Sequence, residues 1–142
     1  MENIFGRFEV RPITNEVRSN IDLLQDEYDV IIPPLLRVFV ETFKIDSFNR
    51  RGICHYNEEV GFHNFDNSIE RNLEVYKEQG NYYQDKKMLP IATSGIHSGG
   101  ICVGLVGDEV DKVFIDNESY DSRFEKVAEN IFEFVQGLRR DS

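Results

Sequence analysis

The run Ile101-Cys102-Val103-Gly104-Leu105-Val106, then Gly107-Asp108-Glu109, then Val110-Asp111-Lys112-Val113-Phe114-Ile115-Asp116 decides the fold class. Two segments rich in β-branched and aromatic side chains flank three turn-forming residues, which predicts a β-hairpin over 101–106 and 110–116. Upstream, residues 88–92 read as a further strand, with 48–56 and 59–63 as two more. Between a helix ending at Gly80 and one starting at Ser122, no helical segment is long enough to connect parallel strands. The pairing is therefore expected to be largely antiparallel, giving an α+β fold with helices packed on one face of the sheet. The other face, or its rim, is then left for a partner.

Four helices are expected around this sheet. Thr14 can cap the first, in which Val17, Ile21, Leu24 and Tyr28 form one apolar stripe. Pro33-Pro34 suits the first turn of the second, whose stripe is Leu36, Phe39, Val40 and Phe43. Asn67 and Glu70 form a capping-box pattern for the third, with Ile69, Leu73 and Tyr76 facing inward and Gly80 ending it. Ser122 and Glu125 form a second such box. It predicts a closing helix that buries Phe124, Val127, Ala128, Ile131, Val135 and Leu138. No internal repeat or Pro/Gly/Ser-rich linker interrupts residues 1–142, so a single domain is expected.

The formal net charge is −10. A chain with no basic stripe lacks the electrostatic footprint of a nucleic-acid binder, and anionic membrane is disfavoured for the same reason. Basic partners are favoured. Residues 108–121 hold Asp108, Glu109, Asp111, Asp116, Glu118 and Asp121 against Lys112 alone, a net of −5. Residues 22–29 hold Asp22, Asp26, Glu27 and Asp29 with no base, a net of −4. Glu118 and Asp121 would precede the closing helix, where negative charge complements the helix dipole. Asp26, Glu27 and Asp29 would fall near a helix end, where the dipole opposes them, so local stability does not account for them. The chain opens Met1-Glu2-Asn3, without a basic start leading into an apolar stretch. Residues 30–36 form its longest mostly apolar run, too short to cross a bilayer. A cytoplasmic location is expected. Cys54 and Cys102 match no zinc or CxxC spacing and read as buried thiols.

Chemistry-bearing patterns are sparse. Ser94-Gly95-Ile96-His97-Ser98-Gly99-Gly100 lacks the nucleophile-elbow, dinucleotide and P-loop patterns and reads as a turn between strands. Use of His97 and Ser98 in an enzymatic or small-ligand site is the weaker alternative. His55, His63 and His97 have no metal-ligand spacing, so no metal, cofactor or catalytic residue is assigned. Phe62 and Phe65 read as staples of the third helix. Tyr82 and Tyr83, in a polar segment after Gly80-Asn81, read equally well as core or as binding anchors.

The order of pieces resembles one known family. A first amphipathic helix runs into Ile32-Pro33 and a second helix with Leu36, Phe39 and Val40. Leu89-Pro90-Ile91-Ala92, Gly99-Gly100-Ile101-Cys102 and Val113-Phe114-Ile115-Asp116 follow, and the chain closes with Val127-Ala128-Glu129-Asn130-Ile131-Phe132-Glu133-Phe134-Val135. This ordered set, over about residues 14–138, is similar to the SUKH superfamily of bacterial proteins and fungal cell-wall-assembly regulators. Pro34-Leu35 stands where that family usually has an acid and a tyrosine, and Lys44-Ile45-Asp46-Ser47 replaces its Asn-Gly. The resemblance implies a curved sheet, no catalytic machinery, and toxin immunity as the role of many bacterial members. The expectation is an immunity protein that binds a basic cognate toxin domain, such as a nuclease. The contact would run through Asp108, Glu109, Asp111, Asp116 and Glu118, with Tyr82 and Tyr83 as candidate anchors. The alternative is a regulatory protein-binding scaffold of the fungal kind. The oligomeric state is left open.

Overall fold

The computed structural model describes residues 9–10, 14–44, 54–55, 61–62, 64–65, 69–78, 81–93, 100–116, 124–137 and 139–140. The elements are β1 (Glu9–Val10), α1 (Asn15–Tyr28), α2 (Pro34–Thr42), β2 (Phe43–Lys44), β3 (Cys54–His55), β4 (Gly61–Phe62), β5 (Asn64–Phe65), α3 (Ile69–Glu78), α4 (Asn81–Gln84), β6 (Met88–Thr93), β7 (Gly100–Gly104), β8 (Val113–Asp116), β9 (Phe124–Ala128), α5 (Ile131–Gln136) and β10 (Arg139–Arg140). The fold is α+β, as expected. Its centre is an antiparallel sheet in the order β5-β6-β7-β8-β9. Pairs β1-β2 and β10-β3-β4 form two smaller sheets, so the segments read at 48–56 and 59–63 contribute strands that lie outside the central one.

The hairpin pairs Ile101 with Ile115, Cys102 with Phe114 and Val103 with Val113. Its strands are shorter than the sequence suggests, because Gly107–Glu109 forms a 3-10 turn with irregular backbone on either side. Strand side chains alternate between faces. Leu89, Ile91, Ile101, Val103, Val113 and Ile115 point into the main core with Ile21 of α1, Leu36, Phe39 and Val40 of α2, Leu73 and Tyr76 of α3, and Phe134 of α5. The four longer helices thus share one face. Met88, Cys102 and Phe114 point to the other face and are buried there too, with half-buried Tyr83 and Phe124 alongside. The middle of that face is therefore not open to a partner, contrary to expectation, and only the rim remains.

The stripes of the first three helices behave as read, except that Phe43 already belongs to β2; Asn67 and Gly80, read as the ends of the third, lie outside the described residues. Thr14 Oγ1 accepts from the Val17 amide at 3.2 Å, and Ile69, Leu73 and Tyr76 are all buried. Phe39 meets Phe43 at 5.1 Å between ring centroids and Phe132 edge-on at 5.5 Å, which joins α2 to α5. Register shifts leave an extra residue at Ile91 in β6 and at Val127 in β9, the latter opposite Val113 and Phe114 of β8. Such bulges bend and twist the strand that carries them. Pro90, which lacks an amide donor, sits in β6 short of Ala92 and Thr93, the two residues paired with β5.

The closing helix is the main correction. Residues 124–128 form a strand against β8, with Val113 opposite Ala128 and Asp116 opposite Phe124. The helix begins only at Ile131 and is capped by Asn130, whose side chain accepts from the Glu133 amide at 2.9 Å. Pairing with the edge of β8 satisfies the backbone of 124–128 in extended form, and tertiary pairing outweighs local helical pattern. Glu118 and Asp121 lie outside the described residues, and the first described residues after them, 124–128, form strand and not the helix start that their charge was expected to complement.

Arg37 joins α1 to α2. Its guanidinium lies 2.7 Å from Asp22 and 2.8 Å from the buried Glu41, and Arg18 approaches Glu41 at 3.6 Å. Hydrogen bonds from Arg37 to Glu41 and then Asp22 raise the Arg37 pKa above its ordinary value, so the group stays charged. Arg37→Met is expected to cost about 1–2 kcal/mol by withdrawing the donor from a buried carboxylate. Arg18→Met should cost less, because Arg18 is exposed and more distant. Urea denaturation of the two variants checks this order, and a larger loss at Arg18 would refute it.

Candidate functional site

The β7–β8 turn is held by a closed set of backbone bonds. Gly104 N–H donates to the Lys112 carbonyl at 2.9 Å, Asp111 N–H to the Gly104 carbonyl at 3.0 Å, and Lys112 N–H to the Glu109 carbonyl at 3.0 Å. Leu105 N–H reaches across to the Lys87 carbonyl at 3.0 Å. Gly107 takes a positive φ of 65°, which glycine adopts without steric cost. At Gly104 a Cβ would lie 2.1 Å from the Glu109 carbonyl oxygen, so the turn closes only over a residue without one.

Asp111 ties this turn to α2. It adopts φ 69°, a left-handed conformation that aspartate tolerates better than most residues. Its Oδ2 accepts from the Leu35 amide at 3.1 Å and its Oδ1 from the Leu36 amide at 3.0 Å. Helix α2 starts at Pro33-Pro34 without a side-chain cap of its own, leaving first-turn amides unpaired. A carboxylate from 75 residues further along the chain fills that place and complements the positive helix end.

The seven residues proposed for partner binding are therefore not equivalent. Asp108 and Glu109 are exposed on the turn. Asp111 is only 8% exposed and occupied by α2, and Asp116 is 0% exposed at the end of β8. Both are buried parts of the fold, which corrects their assignment to a contact surface. Tyr83 is half-buried and packs against both apolar clusters, so it fills the core edge and does not project as an anchor. Tyr82 contributes backbone to α4, while its side chain and all of Glu118 lie outside the described residues. His63, His97 and Ser98 lie outside them as well, and His55 is described only as backbone in β3.

The second acidic cluster also divides. Asp22 pairs with Arg37, while Asp26, Glu27 and Asp29 are exposed. Asp29 has a local role that the sequence reading denied it. It ends α1 in the left-handed conformation at φ 53°, with its amide donating to the Gln25 carbonyl. Gln25 Oε1 accepts from the Ile32 amide at 2.8 Å, which fixes the link from α1 to α2.

Sequence reasoning overlooked several exposed apolar side chains. Ile31 is 81% exposed, Leu35 40%, Val38 48% and Val106 54%. Leu35 and Val38 stand outside the inward stripe of α2, a spacing of three that the sequence could have disclosed. Among the described residues no group of three His, Cys, Asp or Glu could hold a metal ion, and no helix is long and apolar enough to cross a membrane. The chain matches no family model and no curated protein.

Proposed function

We propose that the chain works in the cytoplasm by binding a basic protein, and that it is an immunity protein of the kind its SUKH resemblance implies, neutralising a cognate toxin domain. One observation carries the reading. Asp108 and Glu109 project from a turn fixed at both ends, by Gly104 to Lys112 and by Asp111 to α2, on a chain of net charge −10. Carboxylates held this way lose little freedom on binding, and their field raises the rate of encounter with a positive surface. A nuclease groove that accepts phosphate is such a surface.

The partner to test is the C-terminal domain of any secreted protein encoded in an adjacent reading frame, co-expressed with this chain. Survival of cells that otherwise die from that domain is the expected result. With the pair purified, Asp108→Lys plus Glu109→Lys should slow association about tenfold at low salt and leave melting nearly unchanged. Toxicity undiminished by this chain would refute the immunity role. An unchanged on-rate would refute the electrostatic contact.

A further inference from the structure

The central sheet ends in β9 on one side, and we infer that Glu125, Lys126 and the extra residue Val127 keep this edge from pairing with a second copy of the chain. Among the described residues the sheet runs from β5 to β9, and each of these two strands has a neighbour on one side only. The β5 edge spans two residues, too few to template another strand, whereas β9 spans five. An edge of that length presents backbone N–H and C=O groups to any chain that can match its register. Glu125 and Lys126 stand at its centre, and both are exposed.

Geometry limits how two such edges can meet. Antiparallel joining of identical edges into one sheet requires a twofold axis perpendicular to the sheet, so every residue keeps its face in both copies. Side chains directly opposite share a face, and faces alternate along a strand. Three registers then bring more than one residue of β9 against its copy, centred on Glu125, Lys126 or Val127. Centring on Lys126 aligns all five residues and sets two ammonium groups opposite each other. Centring on Glu125 does the same with two carboxylates. Like charges directly opposite oppose pairing. Centring on Val127 runs the ladder through the residue that β9 carries in excess opposite Val113 and Phe114, where a bulge bends the strand. Each register is thus blocked by a different residue. The Lys126 ammonium also bonds to the exposed Glu129 carboxylate of its own chain, which offsets part of its charge. The net charge of −10 on each copy adds repulsion of longer range. This guard operates whatever partner the acidic turn binds.

The test is sedimentation of the full chain and its variants over a rising series of concentrations. Lys126→Val replaces the facing ammonium groups by β-branched side chains, which pair well across strands, and should dimerise at concentrations about tenfold below the parent chain. Amide hydrogen exchange in that dimer should slow within residues 124–128 and stay unchanged in α3. Lys126→Glu keeps like charges opposite one another and should dimerise no more readily than the parent. Lys77→Val makes the same change of charge and side chain at an exposed position of α3, and should not dimerise either. Lys126→Thr, β-branched and more polar, stands in for the valine variant if circular dichroism shows the latter misfolded. Dimerisation of Lys126→Glu or Lys77→Val as strong as that of Lys126→Val would overturn the inference. A β-branched variant no more prone to dimerise than the parent would do the same, as would a parent chain already paired through residues 124–128.

Discussion

Asp111→Ala is expected to lower the stability of the chain by about 3 kcal/mol. Two terms add. The carboxylate accepts from two first-turn amides of α2, one of them belonging to the buried Leu36, and bonds to a charged acceptor contribute about 1.5–3 kcal/mol. Alanine must also adopt φ 69°, a left-handed conformation that costs roughly 1–2 kcal/mol for a residue with a Cβ and no polar side chain. Asp111→Asn keeps one acceptor oxygen and the tolerance of that conformation, so its loss should be smaller, about 1–2 kcal/mol. Thermal unfolding followed by far-UV circular dichroism resolves the two. The alanine variant should melt about 10 °C below the parent chain, with asparagine between. Were alanine and asparagine to melt with the parent, Asp111 would not be the cap of α2.

Gly104→Ala is the second large effect. The new methyl would stand 2.1 Å from the Glu109 carbonyl oxygen and 2.8 Å from its carbon, so backbone and not a flexible side chain must move. That backbone is tied by the bonds from Gly104 to Lys112 and from Lys112 to Glu109, leaving no cheap displacement. A loss of roughly 3 kcal/mol or more is expected, at the upper end of overpacking effects. Gly107→Ala is the control. It meets no atom within 4 Å and carries only the cost of its positive φ, about 1 kcal/mol. Urea midpoints of the two variants compare them directly, and equal midpoints would refute the clash.

These residues also mark where the sequence could be read and where it could not. The stripes of α1, α2 and α3 were legible because a helix facing a core shows its period in its own residues. The stretch 124–138 misled for a specific reason. Phe124, Val127 and Ala128 belong to a strand and Ile131 and Val135 to a helix, yet together they mimic one helical stripe. Ser122-x-x-Glu125 and Asn130-x-x-Glu133 fit the same capping pattern, and only the edge of β8, distant in sequence from neither, decides between them. The acidic cluster at 108–121 was legible as charge and not as direction. Composition cannot separate Asp108 and Glu109, which face solvent, from Asp111 and Asp116, which the fold encloses. The apolar edge at Leu35 and Val38 was present in the sequence but was overshadowed by the inward stripe beside it.

The bond between Asp111 and α2 also sets an order of events during synthesis. Leu36 leaves the ribosome 75 residues ahead of the carboxylate that receives its amide, a delay on the order of 4–15 s at ~5–20 residues per second. A helix of nine residues is too short to persist alone in water over that interval. The nascent segment must therefore wait, its first turn fraying, until the hairpin emerges and closes over it.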